Sequence, residues 1–243
     1  MKRNAETRLA QWRMELATLV RNYEQLLLVV VIPVGVLVFF GNVDVLPDGV
    51  GLDRVVSSVL ALSVMSTAMV STGIATGFER SYNVLKRLGA TPLGRDRLVW
   101  AKAAAVATVE VAQAVIIVVV ASLMGWSPTD ASWWRVMAAM LLGTAAFAGI
   151  GLSLAGRLRA EVNLAAQNGL YLVLLAVGGV IVPADELPSA MGDVARWLPS
   201  GALSDVLHSS LTSDAVSSST WLVVIAWAVL MPVVAARLFR FDG

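Results

Sequence analysis

The sequence predicts an all-α membrane protein in which six helices cross the bilayer. Six charge-poor stretches follow one another along the chain, each about as long as a helix must be to cross roughly 30 Å of hydrocarbon. The composition agrees, because 58% of the residues are hydrophobic, 14% are charged and the mean hydropathy is +0.77. We place the crossings at 24–43, 55–78, 103–125, 135–156, 162–183 and 218–238.

The positive charges predict which way the chain crosses the membrane. Of the 18 lysines and arginines, only Arg54, Arg135 and Arg196 fall in the odd-numbered connections, and the rest fall in the termini and the even-numbered connections. Because cytoplasmic loops carry the excess of lysine and arginine, we expect a multi-pass protein of the cell membrane with both termini in the cytoplasm. Topology accounts for the basic residues, so no nucleic-acid partner is expected.

The first 23 residues predict an amphipathic helix on the cytoplasmic side. Its apolar residues recur at spacings of three and four: Leu9, Trp12, Leu16, Leu19 and Tyr23. This pattern, with its basic flanks, is typical of an elbow helix that lies among the lipid headgroups. A charged tail that only sets the orientation is the alternative. The crossings use most of the remaining chain, so we expect one membrane domain over 1–243.

The connection between the second and third crossings predicts a second short amphipathic helix in the cytoplasm. Apolar and basic residues lie side by side in it: Val84, Leu85, Lys86, Arg87 and Leu88. Gly89 is typical of a helix C-terminus, and Pro92 stops any continuation. Such a helix can dock in a groove on a partner protein. A solvated hairpin without a function is the alternative.

The connection before the last crossing is too apolar for a plain loop. Apolar residues recur at helical spacing on both sides of a Pro199-Ser200-Gly201 break. Two helices, each too short to cross, predict a re-entrant or surface-lying hairpin that faces outward. An ordinary surface loop with two amphipathic turns is the alternative. The hairpin is marked by Leu187, Pro188, Trp197 and Pro199.

Together these segments resemble the ABC-2-type transporter permeases, the membrane subunits of ATP-binding-cassette exporters of the drug and daunorubicin-resistance kind. The resemblance covers essentially the whole chain, including the prolines of the outer hairpin, and is most specific over 78–93 with Lys102. In that family this region is the coupling segment that seats against the ATPase. Asn83 stands where a glycine is common, but asparagine also accepts left-handed backbone geometry. Lys86 stands where an acid often sits. The resemblance assigns the coupling role to Glu79, Arg80, Val84, Leu85, Lys86, Arg87, Leu88 and Pro92.

The resemblance implies an assembly of two permeases, identical or homologous, with two ATPase subunits that bind ATP and Mg²⁺. No Gly-Lys pair occurs in the sequence, so it has no phosphate-binding loop of the G-x-x-x-x-G-K-[ST] type. We therefore expect a non-catalytic subunit without a cofactor of its own. Its expected function is to export a hydrophobic or amphipathic compound, such as a drug, lipid or glycolipid, by alternating access.

Two other transporter classes stay open: a secondary, ion-coupled transporter, and a haem or polymer exporter permease of related architecture. A secondary transporter usually carries ionisable groups near the bilayer midplane, where Glu110 is the one candidate. The residues predicted for a translocation path are Ser66, Thr67, Glu110 and Gln113, with helix packing as their alternative role. A membrane serine protease is disfavoured, because the only histidine is His208 and 151–155 lacks the second glycine of G-x-S-x-G.

Overall fold

The computed structural model describes residues 9–10, 12–14, 16–17, 21, 23–43, 51–84, 95–212 and 217–238, without the side chains of 23–28 and 95–100. Every regular element in these ranges is a helix, as the sequence predicts. The described parts of the predicted elbow helix are helical, whereas the predicted coupling helix falls mostly outside the described residues. The helices are α1 (Tyr23–Asn42), α2 (Leu52–Ser81), α3 (Arg95–Leu123), α4 (Trp133–Ala155), α5 (Ala160–Val177), α6 (Ser189–Ala195), α7 (Pro199–Thr212) and α8 (Ser218–Leu238).

Five of these helices are long and apolar enough to cross a membrane, namely α2, α3, α4, α5 and α8. Helix α1 is 20 residues long, but Val29–Asn42, its apolar part with described side chains, is shorter than a crossing requires. An all-helical membrane protein is therefore confirmed. The crossing predicted over 24–43, which would bring the number to six, stays a prediction.

Helix α5 ends earlier than hydropathy predicts. The predicted crossing over 162–183 is helical only from Ala160 to Val177, because Gly178 caps the helix and Gly179 adopts a φ of +65°. Left-handed backbone of this kind costs glycine little and ends the helix. The apolar residues that follow are a turn, so apolarity alone overestimates the length of this crossing.

Helix α2 lies at the centre of the bundle. The apolar stretch of α2 is 89% buried, whereas the corresponding figures for α5 and α8 are 22% and 17%. Five helices pack against α2: α1, α3, α4, α5 and α7. Residues 55–78 of α2 include no charged residue, which suits such a position, because each face meets another helix. The contacts of α2 therefore hold these five helices together.

The predicted pair of short helices is present as α6 and α7, and Pro199 at the predicted break is the first residue of α7. Helix α7 is buried against α2, α4 and α8, and Leu203 and Leu207 are completely buried. Helix α7 is therefore part of the packed bundle, and its position relative to the membrane surface stays a prediction.

The corner between α6 and α7 lies well along α8. The Nε1–H of Trp227 donates to the carbonyl oxygen of Trp197 at 2.9 Å. Trp227 is nine residues after Ser218, the first residue of α8. At 1.5 Å per residue, the corner is about 13 Å from the start of α8. The corner of the hairpin therefore lies partway along α8, and re-entry into the membrane stays a prediction.

Candidate functional site

The last turn of α2 contacts α3 and the connection between α4 and α5. We call this end of the bundle the Arg80 end. The Nζ of Lys102 on α3 lies 2.8 Å from Oε1 of Glu79. Both side chains are mostly buried, at 25% exposure for Glu79 and 19% for Lys102. A charge pair with this little solvent is screened less than a surface pair, so it fixes α2 against α3.

Arg80 holds the connection between α4 and α5. Its Nη1 donates to the carbonyl oxygen of Gly156, and its Nη2 donates to that of Leu158 at 2.8 Å. The last carbonyls of a helix have no partner within the helix and carry partial negative charge, so a guanidinium caps them well. The described contacts of Arg80 are thus within this chain, although the resemblance assigns Arg80 to the segment that seats against the ATPase.

Asn83 ends α2 in the left-handed conformation, which asparagine accepts more readily than most residues. Its φ is +58°, and its N–H donates to the carbonyl oxygen of Arg80 at 3.0 Å. The ring of Tyr82 stacks on that of Phe78, with centroids 6.2 Å apart. Val84 is exposed at the point where the chain leaves the helix. The other predicted coupling residues lie outside the described residues: Leu85, Lys86, Arg87, Leu88 and Pro92.

Two of the predicted path residues meet in a helix contact. Thr67 of α2 donates its hydroxyl to Oε1 of Gln113 at 2.9 Å, and Nε2 of Gln113 donates to the carbonyl oxygen of Val29 at 2.7 Å. Gln113 is 2% exposed and so joins α1, α2 and α3 from within. Ser66 stays apart from this contact, because its hydroxyl donates to the carbonyl oxygen of Ser63 in its own helix.

Glu110 is buried between α3 and α4. It is 2% exposed, and its Oε2 accepts a hydrogen bond from the hydroxyl of Thr144. Its Oε1 has no hydrogen-bond partner among the described residues. Glu110 lies close to the middle of Ala101–Leu123, the apolar part of α3, rather than at a helix end. A buried acid at this depth suits a structural contact or an ion-coupled step.

A π-helical segment, Met65–Ser71, interrupts α2 at its centre. The hydroxyl of Thr72 donates to the carbonyl oxygen of Thr67 at 2.9 Å, five residues earlier. A Cβ at Gly151 of α4 would lie 2.6 Å from the carbonyl oxygen of Met69. Such segments are rare and widen the helix locally, and they are frequent at functional sites. No sequence signal pointed to it.

Two buried carboxamides on α5, which sequence reasoning missed, fasten this helix to α2 and α4. Asn163 and Gln167 are completely buried. Nδ2 of Asn163 donates to the carbonyl oxygen of Gly73 at 2.9 Å, and Nε2 of Gln167 donates to that of Gly151 at 2.9 Å. A Cβ at Gly73 would lie 2.1 Å from Nε2 of Gln167. Helices in a membrane are joined in this way, by small residues that admit close approach and by polar side chains that bond across it.

We call the opposite end of the bundle the Arg54 end. There α2 is bonded to its neighbours through an arginine–aspartate pair, a tryptophan and serines. Nη1 of Arg54 lies 2.6 Å from Oδ1 of Asp205 on α7, and Nη2 donates to the carbonyl oxygen of Gly179 at 3.1 Å. The Nε1–H of Trp126 donates to Oδ1 of Asp53 at 2.6 Å. Ser58 and Ser204 both donate to the carbonyl oxygen of Val180.

The residues predicted to mark the outer hairpin are dispersed along it. Pro188 is exposed and precedes α6, and Leu187 is half-buried. Trp197 is 72% exposed at the corner, whereas Pro199 is buried at the start of α7. They share one hairpin but form no cluster. The Arg54 end is held by Arg54, Asp205 and the two serines, which the sequence did not single out.

Comparison with known proteins identifies the family. The family model of the ABC-2 type transporters matches residues 8–212, which is most of the chain, so the protein belongs to this family. One relative is YvfS of Bacillus subtilis (strain 168), which its name describes as a transport permease. It is 24% identical over 190 residues, covering 76% of this chain and 78% of that protein. The resemblance drawn from the coupling region is therefore confirmed.

Proposed function

We propose that this chain is the non-catalytic membrane subunit of an exporter powered by separate ATP-binding-cassette subunits, which bind ATP and Mg²⁺. Its family supports a transporter permease. The observation that carries the coupling role is the double anchorage of the last turn of α2, where Glu79 is paired with α3 and Arg80 holds the α4–α5 connection. A segment that follows such an anchored turn can pass a partner's movement to α3, α4 and α5.

In this proposal α1 also crosses the membrane, which makes six crossings in all. Both termini are cytoplasmic, and the Arg80 end faces the cytoplasm. The positive-inside rule supports that orientation, because Lys102, Arg157 and Arg159 accompany Arg80 at this end. ATP binding changes the arrangement of the ATPases, and the permease alternates between inward-open and outward-open packings. A partner can shift that equilibrium only by as much as its binding free energy differs between the two states.

The proposed cargo is a hydrophobic or amphipathic compound, such as a drug, lipid or glycolipid. Within the described part of α2, the polar residues of the central region are hydroxyls rather than charges: Ser63, Ser66, Thr67, Ser71, Thr72 and Thr76. An interior with few charges offers little to a strongly charged cargo, because a charge moved out of water must be paired.

A secondary, ion-coupled transporter is the second candidate, and one observation favours it. Glu110 is an ionisable residue in the middle of a crossing, with one carboxylate oxygen that has no partner among the described residues. Acidic residues at this depth occur in proton and cation relays.

Leu85→Asp tests the proposed ATPase contact. If Val84, Leu85 and Leu88 enter a groove on the ATPase, each contributes about 1.5–3 kcal/mol before association costs. We expect Leu85→Asp to insert normally in the membrane but to lose the ATPase on co-purification. Lys86→Ala is the matched control, since an exposed charge pair contributes roughly 0–1 kcal/mol. Equal recovery of the ATPase with Leu85→Asp and wild type would contradict the proposal.

Cysteine labelling tests the proposed orientation. The chain has no cysteine, and Ser81 and Ser189 are exposed at opposite ends of the bundle. An impermeant thiol reagent should modify a cysteine at Ser189 in intact cells and one at Ser81 only after permeabilisation. Modification at Ser81 in intact cells would show that the Arg80 end faces outward.

A further inference from the structure

Helix α1 contains a proline that leaves one carbonyl oxygen of the helix without its usual partner. Pro33 lies inside α1 and is buried. Because proline has no N–H, the carbonyl oxygen four residues earlier, that of Val29, loses its hydrogen bond within the helix. In a helix that crosses a membrane no water replaces the missing donor, so a neighbouring helix must supply it. Pro33 therefore requires a hydrogen-bond donor from outside α1.

Gln113 of α3 supplies this donor. Its Nε2 donates to the carbonyl oxygen of Val29 at 2.7 Å, and its side chain is 2% exposed. Over 29–42 this is the one hydrogen bond from α1 to another described helix. Pro33 and Gln113 are thus complementary, because the first frees an acceptor and the second occupies it.

The other end of the same carboxamide reaches the π-helical segment of α2. The hydroxyl of Thr67 donates to Oε1 of Gln113 at 2.9 Å, and Thr67 is the third residue of Met65–Ser71. The carbonyl oxygen of Thr67 accepts a hydrogen bond from the hydroxyl of Thr72, five residues later, across the widened turn. One side chain therefore joins the backbone that proline frees in α1 to the irregular turn of α2.

Two bend-prone points lie at the same level of the bundle. Sharp bends in helices occur at prolines and at π-helical turns, and here one of each is bonded to Gln113. Hinges in proteins are formed by a few residues that absorb the change in backbone angles. We propose that Pro33, Gln113 and Thr67 form a hinge at which α1 and α2 bend together. In this hinge Gln113 is a positioning residue that passes the bending of one helix to the other.

The place of the hinge in α2 gives it a role in transport, and this role rests on the proposed function. Met65–Ser71 lies between the half of α2 that carries Arg54 and the half that carries Gly73 and Arg80. Asn163 bonds α5 to the second half, at the carbonyl oxygen of Gly73. A bend at the hinge turns the second half together with α5, and α1 follows through Gln113. Movement that arrives at the Arg80 end thereby changes the packing around α1.

Thermal unfolding of the full chain in detergent tests the match between Pro33 and Gln113. Gln113→Leu leaves the carbonyl oxygen of Val29 without a donor and should lower the Tm by about 3–8 °C. Pro33→Ala restores an N–H that can bond to Val29, so in this background Gln113→Leu should lower the Tm by less than half as much. An equal loss in the wild-type and Pro33→Ala backgrounds would overturn the proposal.

Gly35→Ala is the control background for this comparison. Gly35 is on the same helix, a Cβ there would meet nothing within 4 Å, and Pro33 stays in place. Gln113→Leu should therefore cost as much with Gly35→Ala as it does in wild type. If Gly35→Ala rescued Gln113→Leu as well as Pro33→Ala does, the rescue would come from helix propensity and the match would be wrong.

Amide hydrogen exchange of the full chain in lipid nanodiscs tests whether the two helices are coupled. Thr67→Val removes the donor to Gln113 at nearly constant volume and should speed exchange over 29–37 of α1 about fivefold, since one hydrogen bond changes an equilibrium by about that factor. Thr67→Ser keeps the hydroxyl and should exchange like wild type. Ser66→Ala is the control in the same segment, because the hydroxyl of Ser66 donates within α2. Unchanged exchange in α1 with Thr67→Val would contradict the hinge.

ATP-driven transport in vesicles separates the hinge from the proposed function. If Thr67→Val alters exchange in α1 and also slows transport, while Thr67→Ser does neither, the hinge and its role are both supported. If wild type itself shows no ATP-driven transport but Thr67→Val still alters exchange in α1, the hinge stands and the exporter proposal fails. If Thr67→Val transports as fast as wild type, the junction is only a structural contact and the hinge has no part in transport.

Discussion

The two ends of α2 are held by different chemistry. At the Arg54 end, one guanidinium is paired with a carboxylate on α7, and serines bond to a turn. At the Arg80 end, the guanidinium donates to carbonyl oxygens, and carboxamides on α5 bond to the backbone of α2 and α4. Backbone acceptors are used at both ends, because Arg54 also donates to the carbonyl oxygen of Gly179, but only the Arg54 end places an ion pair between α2 and α7. We infer that the Arg80 end passes movement to its helices and that the Arg54 pair stabilises the opposite end.

Arg54→Met is expected to have the largest effect on stability. Arg54 is 6% exposed, and its removal leaves Asp205 without its charge partner. Breaking a buried pair from one side costs about 3–5 kcal/mol, and the lower value applies because Asp205 is partly exposed. Thermal unfolding in detergent, followed by size-exclusion chromatography, measures the loss.

The exposed pair between Arg196 and Asp185 is the control for Arg54→Met. Its side chains are 58% and 83% exposed, at a similar distance of 2.7 Å. Surface pairs contribute about 0–1 kcal/mol, so Arg196→Met should unfold close to wild type. Equal losses for the two variants would show that burial does not set the strength of the Arg54 pair.

Gly73→Ala is expected to have an intermediate effect at the Arg80 end. The new methyl group would lie 2.1 Å from Nε2 of Gln167, so the carboxamide must move and lose its bond to Gly151. A lost hydrogen bond with overpacking costs about 1–3 kcal/mol, partly offset by the higher helix propensity of alanine. The same unfolding assay measures it.

Gly35→Ala is the matched control for Gly73→Ala. A Cβ at Gly35 on α1 would meet nothing within 4 Å. The change should therefore be neutral or stabilising by up to about 1 kcal/mol. If Gly73→Ala were as stable as Gly35→Ala, the close approach of α2 and α5 would not be a stabilising contact.

Glu110→Gln is expected to have the smallest effect. Its carboxamide oxygen can still accept the hydrogen bond from Thr144, and no charge remains in the middle of α3. We expect unchanged expression and unchanged ATP-driven transport in vesicles. If wild-type transport depends on a proton gradient and Glu110→Gln loses that gradient-driven transport, the secondary-transporter class is favoured.

Some of these features could be predicted from the sequence and others could not. Hydropathy and charge predicted the helical membrane class, and the pattern of the segments predicted the family. Arg54, in contrast, was counted as an outer-loop charge, because the predicted crossing began at 55. It lies in the first turn of α2, where its partner is 151 residues away in the sequence. Local patterns carry no information about such a partner.

The buried carboxamides show the same limit. Gly73 and Gly77 are four residues apart, as are Asn163 and Gln167, and each pair can be read from the sequence. Which helix faces which depends on packing, so the close approach of Gly73 to Gln167 and of Gly77 to Asn163 appears only in the fold. The π-helical segment has no local signature either, since its seven residues are ordinary helix formers and hydroxyls.

The most direct test of the account is the ATP hydrolysis rate of the assembled complex in lipid vesicles, compared between Arg80→Met and Arg54→Met. In the proposed mechanism Arg80 passes movement of the coupling segment to α4 and α5, whereas Arg54 stabilises the other end. Arg80→Met should therefore retain the ATPase but lose most of the permease-dependent hydrolysis and transport. Arg54→Met, measured below its unfolding temperature, should keep the hydrolysis rate. Wild-type hydrolysis and transport in Arg80→Met would contradict the account.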